Sequence, residues 1–367
     1  MELIPEWAPN AHPMLVHFPI AILAIAILFD FISFFLPKNK KWWTEEATAL
    51  LYGIGAAIAT GVYFTGRAAA DNVFLPAEAQ SVLTAHADWA WWTVWFYVTY
   101  AVARILATWK ARAEHQMKFH VGFFALSLVG LFLLIQTGDK GAKMVFKYGV
   151  GVQAAEIENP VRHDHESVHD ENGDNVASTS FNKMDNGDWT WETGEHALIA
   201  LQNNFHWLSG SRDAVSAKAV KTDSGSYALS FSGEDLNGFF VGHDSYQNVQ
   251  VDYRLDISAL NGTVFLVHHV QDSTSYDYVS ISSDGTIQQG RMVDGQPEVF
   301  EQGQTDTSKP LYVRVVASGT HFRGYIDKQM VVHGHGDAPE AGGVGLKLEG
   351  SGTLLLEQIE LVQLTDD

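Results

Sequence analysis

Long apolar stretches fill the first part of the chain and short alternating ones fill the rest. Residues 14–36, MLVHFPIAILAIAILFDFISFFL, hold Asp30 as the one ionisable side chain besides His17. At 1.5 Å per residue this run makes a helix of about 34 Å, long enough for a hydrocarbon core of about 30 Å. Further apolar stretches lie at about 46–67, 87–108 and 119–137, so four transmembrane helices are expected. Met1 to Ala11 carries Glu2 and Glu6 and no base, which is not the start of a cleavable signal peptide, so the first helix is expected to be retained.

From about residue 186 the period changes from helical to two. SYALSFSG, NVQVDYRLDI, GTVFLVHHV, YDYVSIS, LYVRVVAS, THFRGYIDK, GGVGLKLEG and TLLLEQIELVQL are short and separated by Gly, Asn, Asp or Ser. Val249, Val251, Tyr253 and Leu255 alternate with polar neighbours, placing one face inward, and eight or more such strands predict a two-sheet sandwich. The stretch between the two patterns, 154–185, contains RHDHESVHDENGD and has no apolar face, as expected of an acidic, His-rich linker. Its His163, His165 and His169, interleaved with Asp164, Glu166 and Asp170, also have the chemistry of a transition-metal site. The fold expected is therefore a multidomain membrane protein: an all-α four-helix transmembrane bundle over 1–153, the linker over 154–185, and an all-β sandwich over 186–367.

Charge sharpens the division. Residues 1–153 carry 11 Lys/Arg and 10 Asp/Glu, whereas residues 154–367 carry 12 against 33, a net of −21. Such an acidic domain repels nucleic acid and would steer a basic partner such as a cationic cytochrome c; it is equally the surface expected in a saline habitat. Lys38, Lys40 and Lys41 follow the first helix, and Lys110, Arg112 and Lys118 lie between the third and fourth, while 68–85 has no base until helix three. The positive-inside rule then predicts an inner-membrane protein with both termini and the C-terminal domain on the periplasmic side. The absence of cysteine excludes disulfides, Cys-ligated zinc, iron–sulfur clusters and CxxCH-linked haem.

Three histidines fall at the outer ends of helices one and three in this topology: His12 and His17 in NAHPMLVHFPI, and His86 in LTAHADWAWW. An imidazole near hydrocarbon is costly unless paired or ligated. Haem b held by His17 and His86, with His12 as substitute or outer-shell group and Arg67 as a cation for the propionates, fits this placement without a thiol. Another metal, proton transfer, or interfacial hydrogen bonding fits it too. Asp30 and Arg104 lie toward the inner ends of helices one and three, where pairing would remove two isolated charges.

HPMLVHFPIAIL, ATGVYFTGR, TAHADW and GAKMVFKYGVGV together resemble an uncharacterised bacterial four-helix membrane family with HPxxVHFPI and GxxLVYxxGVGV motifs, over about residues 10–153. Some members stand beside Rieske or cytochrome c domains, so the resemblance implies redox company: other membrane subunits of an electron-transfer complex. Here Met144, Val145 and Phe146 replace the usual leucine, valine and tyrosine. NVQVDYRLD through VRVVASGTHFRGYIDKQMVV to GGVGLKL resembles concanavalin A-like jelly rolls of the laminin G and 3-keto-disaccharide hydrolase type, over roughly 186–364. That superfold hosts sugar, calcium and protein binding as well as glycoside cleavage, and does not choose among them.

Two functions are therefore expected in turn: a haem b-binding accessory subunit with an acidic docking domain, or a membrane-anchored carbohydrate- or protein-binding module without a redox cofactor. Hydrolysis ranks below both. Asp272, Asp277, Asp284 and Asp327 read as turn or edge residues, and the pairs His268/His269 and His333/His335 as polar groups at strand ends, with a divalent metal in the sandwich as the alternative.

Overall fold

The computed structural model describes residues 11–37, 41–114, 120–151, 181–222 and 225–365. The chain forms two compact units, one of residues 1–75 and 82–153, the other of 76–81 and 154–367. His163, His165 and His169 of the expected linker lie outside the described residues.

In the helical unit, α1 (His12–Leu15) runs through Val16 into α2 (His17–Ser33), and α3 (Lys41–Asp71), α4 (Ala77–Glu114, of which 77–81 group with the other unit) and α5 (His120–Phe146) follow. Three segments, His12–Ser33, Glu45–Asp71 and Val121–Phe146, are long and apolar enough to cross a membrane. The expected third span, 87–108, forms part of α4 but is not among them. Its apolar character is carried by Trp89, Trp91, Trp92, Trp95, Tyr97 and Tyr100, which rank low in hydropathy, and it is interrupted by Asp88 and Arg104. Phe18, Leu28, Phe35, Leu50, Phe64, Trp92, Leu106, Phe132 and Ile135 are exposed on these helices, a surface suited to lipid rather than water.

The interior of the unit is built from one face of each helix. Leu23, Ala26 and Ile27 of α2 pack with Tyr52 and Ala56 of α3 and with Tyr97, Tyr100 and Ala101 of α4. The α4 positions recur at three and four residues, the spacing of neighbours on one helical face. Arg104 continues that row and donates from Nη2 to Asp30 Oδ1, with both side chains buried. Tyr52 Oη donates to Asp30 Oδ2 at 3.0 Å. The expected clamp between helices one and three is thus formed, and a tyrosine from α3 is added to it.

The second unit is a sandwich built around two long bent strands, β5 (Tyr227–Gly242) and β14 (Gly343–Gln363). The first part of β14 pairs with β7 (Leu260–Val270) and β5; its last part pairs with β6 (Val249–Asp256) and β2 (Trp189–Glu192). One layer therefore runs outward from β14 through β7, β8 (Tyr276–Ser282), β9 (Thr286–Val293) and β10 (Gln296–Gln304). The other runs through β6, β11 (Leu311–Ser318), β12 (His321–Ile326) and β13 (Gln329–His335).

The bend falls at Gly350 and Gly352, whose φ of 126° and 99° lie where side chains are strained. A Cβ at either would also come within 2.4 Å or less of a backbone oxygen, Asn261 for the first and Ala259 for the second. Val251, Tyr253, Leu255, Val313 and Val315 from one layer meet Val264, Leu266, Val279 and Ile281 from the other in a single core. Alternation along β6 and β11 is as expected, while the ordered strands begin with β1 (Phe181–Lys183), before residue 186.

The Asp30–Arg104 pair sets a stability test. Removing one partner of a buried pair leaves an uncompensated charge, so Asp30→Ala is expected to destabilise the detergent-solubilised chain by about 3–5 kcal/mol. Asp30→Leu combined with Arg104→Leu should recover most of that loss in a thermal melt. An unchanged melt for Asp30→Ala would show that the pair does not hold the helices.

Candidate functional sites

Two histidines of the helical unit, His12 and His86, are partly buried against backbone carbonyls of neighbouring helices. His12 Nδ1 is 3.2 Å from the carbonyl oxygen of Val62 and 3.2 Å from Thr65 Oγ1, both on α3. His86 Nδ1 is 3.0 Å from the carbonyl oxygen of Thr137 on α5. Since a carbonyl only accepts, His86 Nδ1 carries the proton, and the same holds for His12 where it meets Val62; Nε2 of each ring is then the basic nitrogen. A second partner that fixes the tautomer in this way is the usual support of a metal-ligating imidazole.

The helices approach these rings closely at glycine. A Cβ on Gly66 would lie 2.8 Å from His12 Cε1, and one on Gly141 3.2 Å from His86 Cε1. The glycines of ATGVYFTGR and GAKMVF thus have a packing role beside the two imidazoles.

His17, expected as the partner of His86, lies exposed on α2 instead. Five residues of helix turn the chain by about 500°, or about 140° net, which carries His17 away from the side on which His12 sits. His12 and His86, rather than His17, are the ones held against backbone carbonyls inside the unit. Arg67, next to Gly66, is exposed.

The sandwich carries two more histidine clusters. In the first, His268 on β7, Asp277 on β8 and Arg291 on β9 form one cross-strand row. Arg291 donates from Nε to Asp277 Oδ1 at 2.6 Å and from Nη2 to Oδ2 at 3.0 Å. His269 is drawn to the same place by a bulge, where the pairing of β14 with β7 shifts between Gly343 and Gly345, and its φ is 51°. His269 Nε2 donates to the carbonyl of Gln247 at 2.9 Å, so its Nδ1 accepts from His268 Nδ1 at 2.6 Å. With both oxygens of Asp277 and both nitrogens of His269 engaged, this trio is a hydrogen-bonded brace. Asp277 is accordingly a buried partner of arginine, not a turn residue, whereas Asp272 and Asp284 accept from Thr274 and Thr286 in turns.

In the second cluster, His321 on β12 is the cross-strand partner of His335 on β13, and His333 lies two residues before His335 on the same face. The ring centroids are 4.7 Å apart for His321 and His335, 4.7 Å for His333 and His335, and 6.0 Å for His321 and His333. One nitrogen from each ring lies within 4.8 Å of the others, and the set runs from buried His321 to exposed His335. The sequence signals His333 and His335 by their spacing; His321 is added by hairpin register alone.

Comparison with known proteins bears on the helical unit first. Residues 8–154 match the family described as "Predicted membrane protein (DUF2231)". The DUF2231 region covers both motifs that flank the two imidazoles and ends before the sandwich. None of the curated proteins compared matches the chain.

Among solved structures, the carbohydrate binding module CBM66 from Bacillus subtilis is similar at 15% identity and a TM-score of 0.35, covering 42% of this chain and 94% of that one. A protein with a galectin-like fold from Bacillus subtilis is similar at 8% identity and a TM-score of 0.37, covering 47% and 94%. A Bacillus licheniformis beta-glucanase gives 11% identity and a TM-score of 0.35, covering 49% and 100%. These are likenesses of fold, and no activity is transferred from them to this chain.

The brace gives the sandwich a pH dependence of known sign. Burial pushes His268 well below the ordinary imidazole value and lowers His269 as well. Below about pH 6.5 the unfolded chain binds protons that these folded imidazoles refuse. Stability present above that pH is therefore lost as pH falls, by up to about 1.4 kcal/mol per pH unit for each imidazole until its folded pKa is reached. Urea titrations of the full chain at pH 7.5, 6.5 and 5.5 should show this loss, and His268→Phe should flatten it; a slope unaltered by the substitution would contradict the assignment.

Proposed function

We propose that the protein is a membrane-anchored binding module: the DUF2231 region fixes the acidic sandwich at the outer surface of the membrane, where it binds a basic protein. The observation that carries this reading is the pairing of two self-contained cores with opposite surfaces. The helical unit exposes Phe, Leu and Trp side chains to its surroundings. The sandwich closes its own core and, among its described residues, exposes as large apolar side chains Met184, Ile199, Tyr227, Val293 and Val299. With one aromatic among these, charge rather than stacking is the means of recognition, and residues 154–367 carry a net of −21. In this reading α4 crosses the membrane with the other three helices, and both termini face outward.

The test is the binding of a cationic cytochrome c to the full chain in detergent. Steered association should lose about tenfold or more in on-rate between low and physiological salt. Salt-independent binding of a neutral oligosaccharide, with no binding of the basic protein, would overturn the choice of ligand.

The two imidazoles with Nδ1 held by backbone carbonyls, His12 and His86, favour a second reading for the bundle itself, a b-type haem held between them. The donor set fits: two imidazoles with Nδ1 on backbone carbonyls and Nε2 basic. Bound haem would supply one-electron redox chemistry. The chain's own part would be to hold the ring planes through Val62 and Thr137 and to pack them against Gly66 and Gly141. A dithionite-reduced minus oxidised spectrum of protein from haem-replete cells should show a b-type alpha band, lost in His12→Ala and His86→Ala and kept in His17→Ala. A flat spectrum would end this reading while leaving the anchored module intact.

A further inference from the structure

We infer that His321, His333 and His335 form a binding site for a divalent transition-metal ion of the copper and zinc class on the β12–β13 hairpin. The three imidazoles sit on one face of two paired strands, where a two-residue period and the register His321 opposite His335 put them together. Ligand nitrogens within 4.8 Å of one another need small side-chain rotations to reach the separation of about 3.4 Å that bonds of about 2.1 Å at tetrahedral angles impose. The strands need not move, because the cross-strand pair is set by the hairpin.

The donors also select the ion. Three imidazoles and no carboxylate make a neutral, nitrogen-only set, suited to copper and zinc and poor for calcium or magnesium, which take oxygen ligands. Three protein ligands leave a fourth position, and the exposure of His335 puts that position toward the open side of the cluster. An open fourth position can take water or a donor from a ligand of the sandwich.

The test uses the full chain in detergent, stripped with chelator and titrated separately with Zn²⁺ and Cu²⁺. One equivalent of each is expected to bind, and the Cu²⁺ spectrum should carry nitrogen superhyperfine splitting. His335→Ala, at the exposed corner, should fold as the parent by circular dichroism and weaken the ion about 100-fold or more, and His333→Ala should do the same. His321→Ala is buried and tests folding as well as binding, so His335→Ala is the deciding variant.

A second background, with His163, His165 and His169 all replaced by Asn, should keep the equivalent. If binding follows the linker histidines, or is unchanged in His335→Ala, the site is not this one. Loss of haem absorption or of cytochrome binding does not bear on the result, because the readout is ion stoichiometry at the hairpin.

Discussion

The demand that a charge withdrawn from water meet its partner governs both halves of this chain. In the helical unit Arg104 meets Asp30, with Tyr52 closing the second carboxylate oxygen. In the sandwich Arg314 meets Asp252 through two bonds of 2.7 Å, with Tyr312 donating to the same carboxylate at 2.8 Å. The third instance is Arg291 on Asp277. Each pair joins different elements: α2 to α4, β6 to β11, β8 to β9. In the first two a carboxylate accepts from both a guanidinium and a phenol, and in the third from a guanidinium through both oxygens. The same requirement applies to the imidazoles: those on backbone carbonyls in the bundle and those in the brace are held where burial would otherwise expel them.

Much of this was legible from the residues. The change from helical period to alternation separates the helices from the strands, and the pairing of Asp30 with Arg104 follows from two costly charges in apolar surroundings. Val249 to Leu255 and the hairpin VRVVASGTHFRGYIDKQMVV fall on strands as their alternation requires. The composition of α4 carries a weaker signal than the others: its tryptophans, tyrosines and interrupting charges keep it out of the set of helices apolar enough to cross a membrane by hydropathy alone.

The sites were less legible, for geometric reasons. His17 is as near in sequence to a site as His12, and only the angular step of the helix separates them. The bulge at His268 and His269 adds one residue to one strand, which no period of two foresees, and so turns two edge histidines into a buried brace. His321 is distant in sequence from His333 and His335 and joins them through a register that the turn sets. Long-range juxtaposition of this kind depends on pairing, and a local pattern does not specify it.

The proposed function assigns the bundle to the bilayer and the sandwich to a partner outside it, with the carbonyl-bound imidazoles of the DUF2231 region as a separate capacity. The natural chain has no cysteine, which makes single reporters clean. Glu298, exposed on β10, and Lys110, exposed near the C-terminal end of α4, are the most telling places for them. In spheroplasts, a membrane-impermeant maleimide should label Glu298→Cys without permeabilisation and Lys110→Cys only after it. Protection of Glu298→Cys until the membrane is breached would contradict the account.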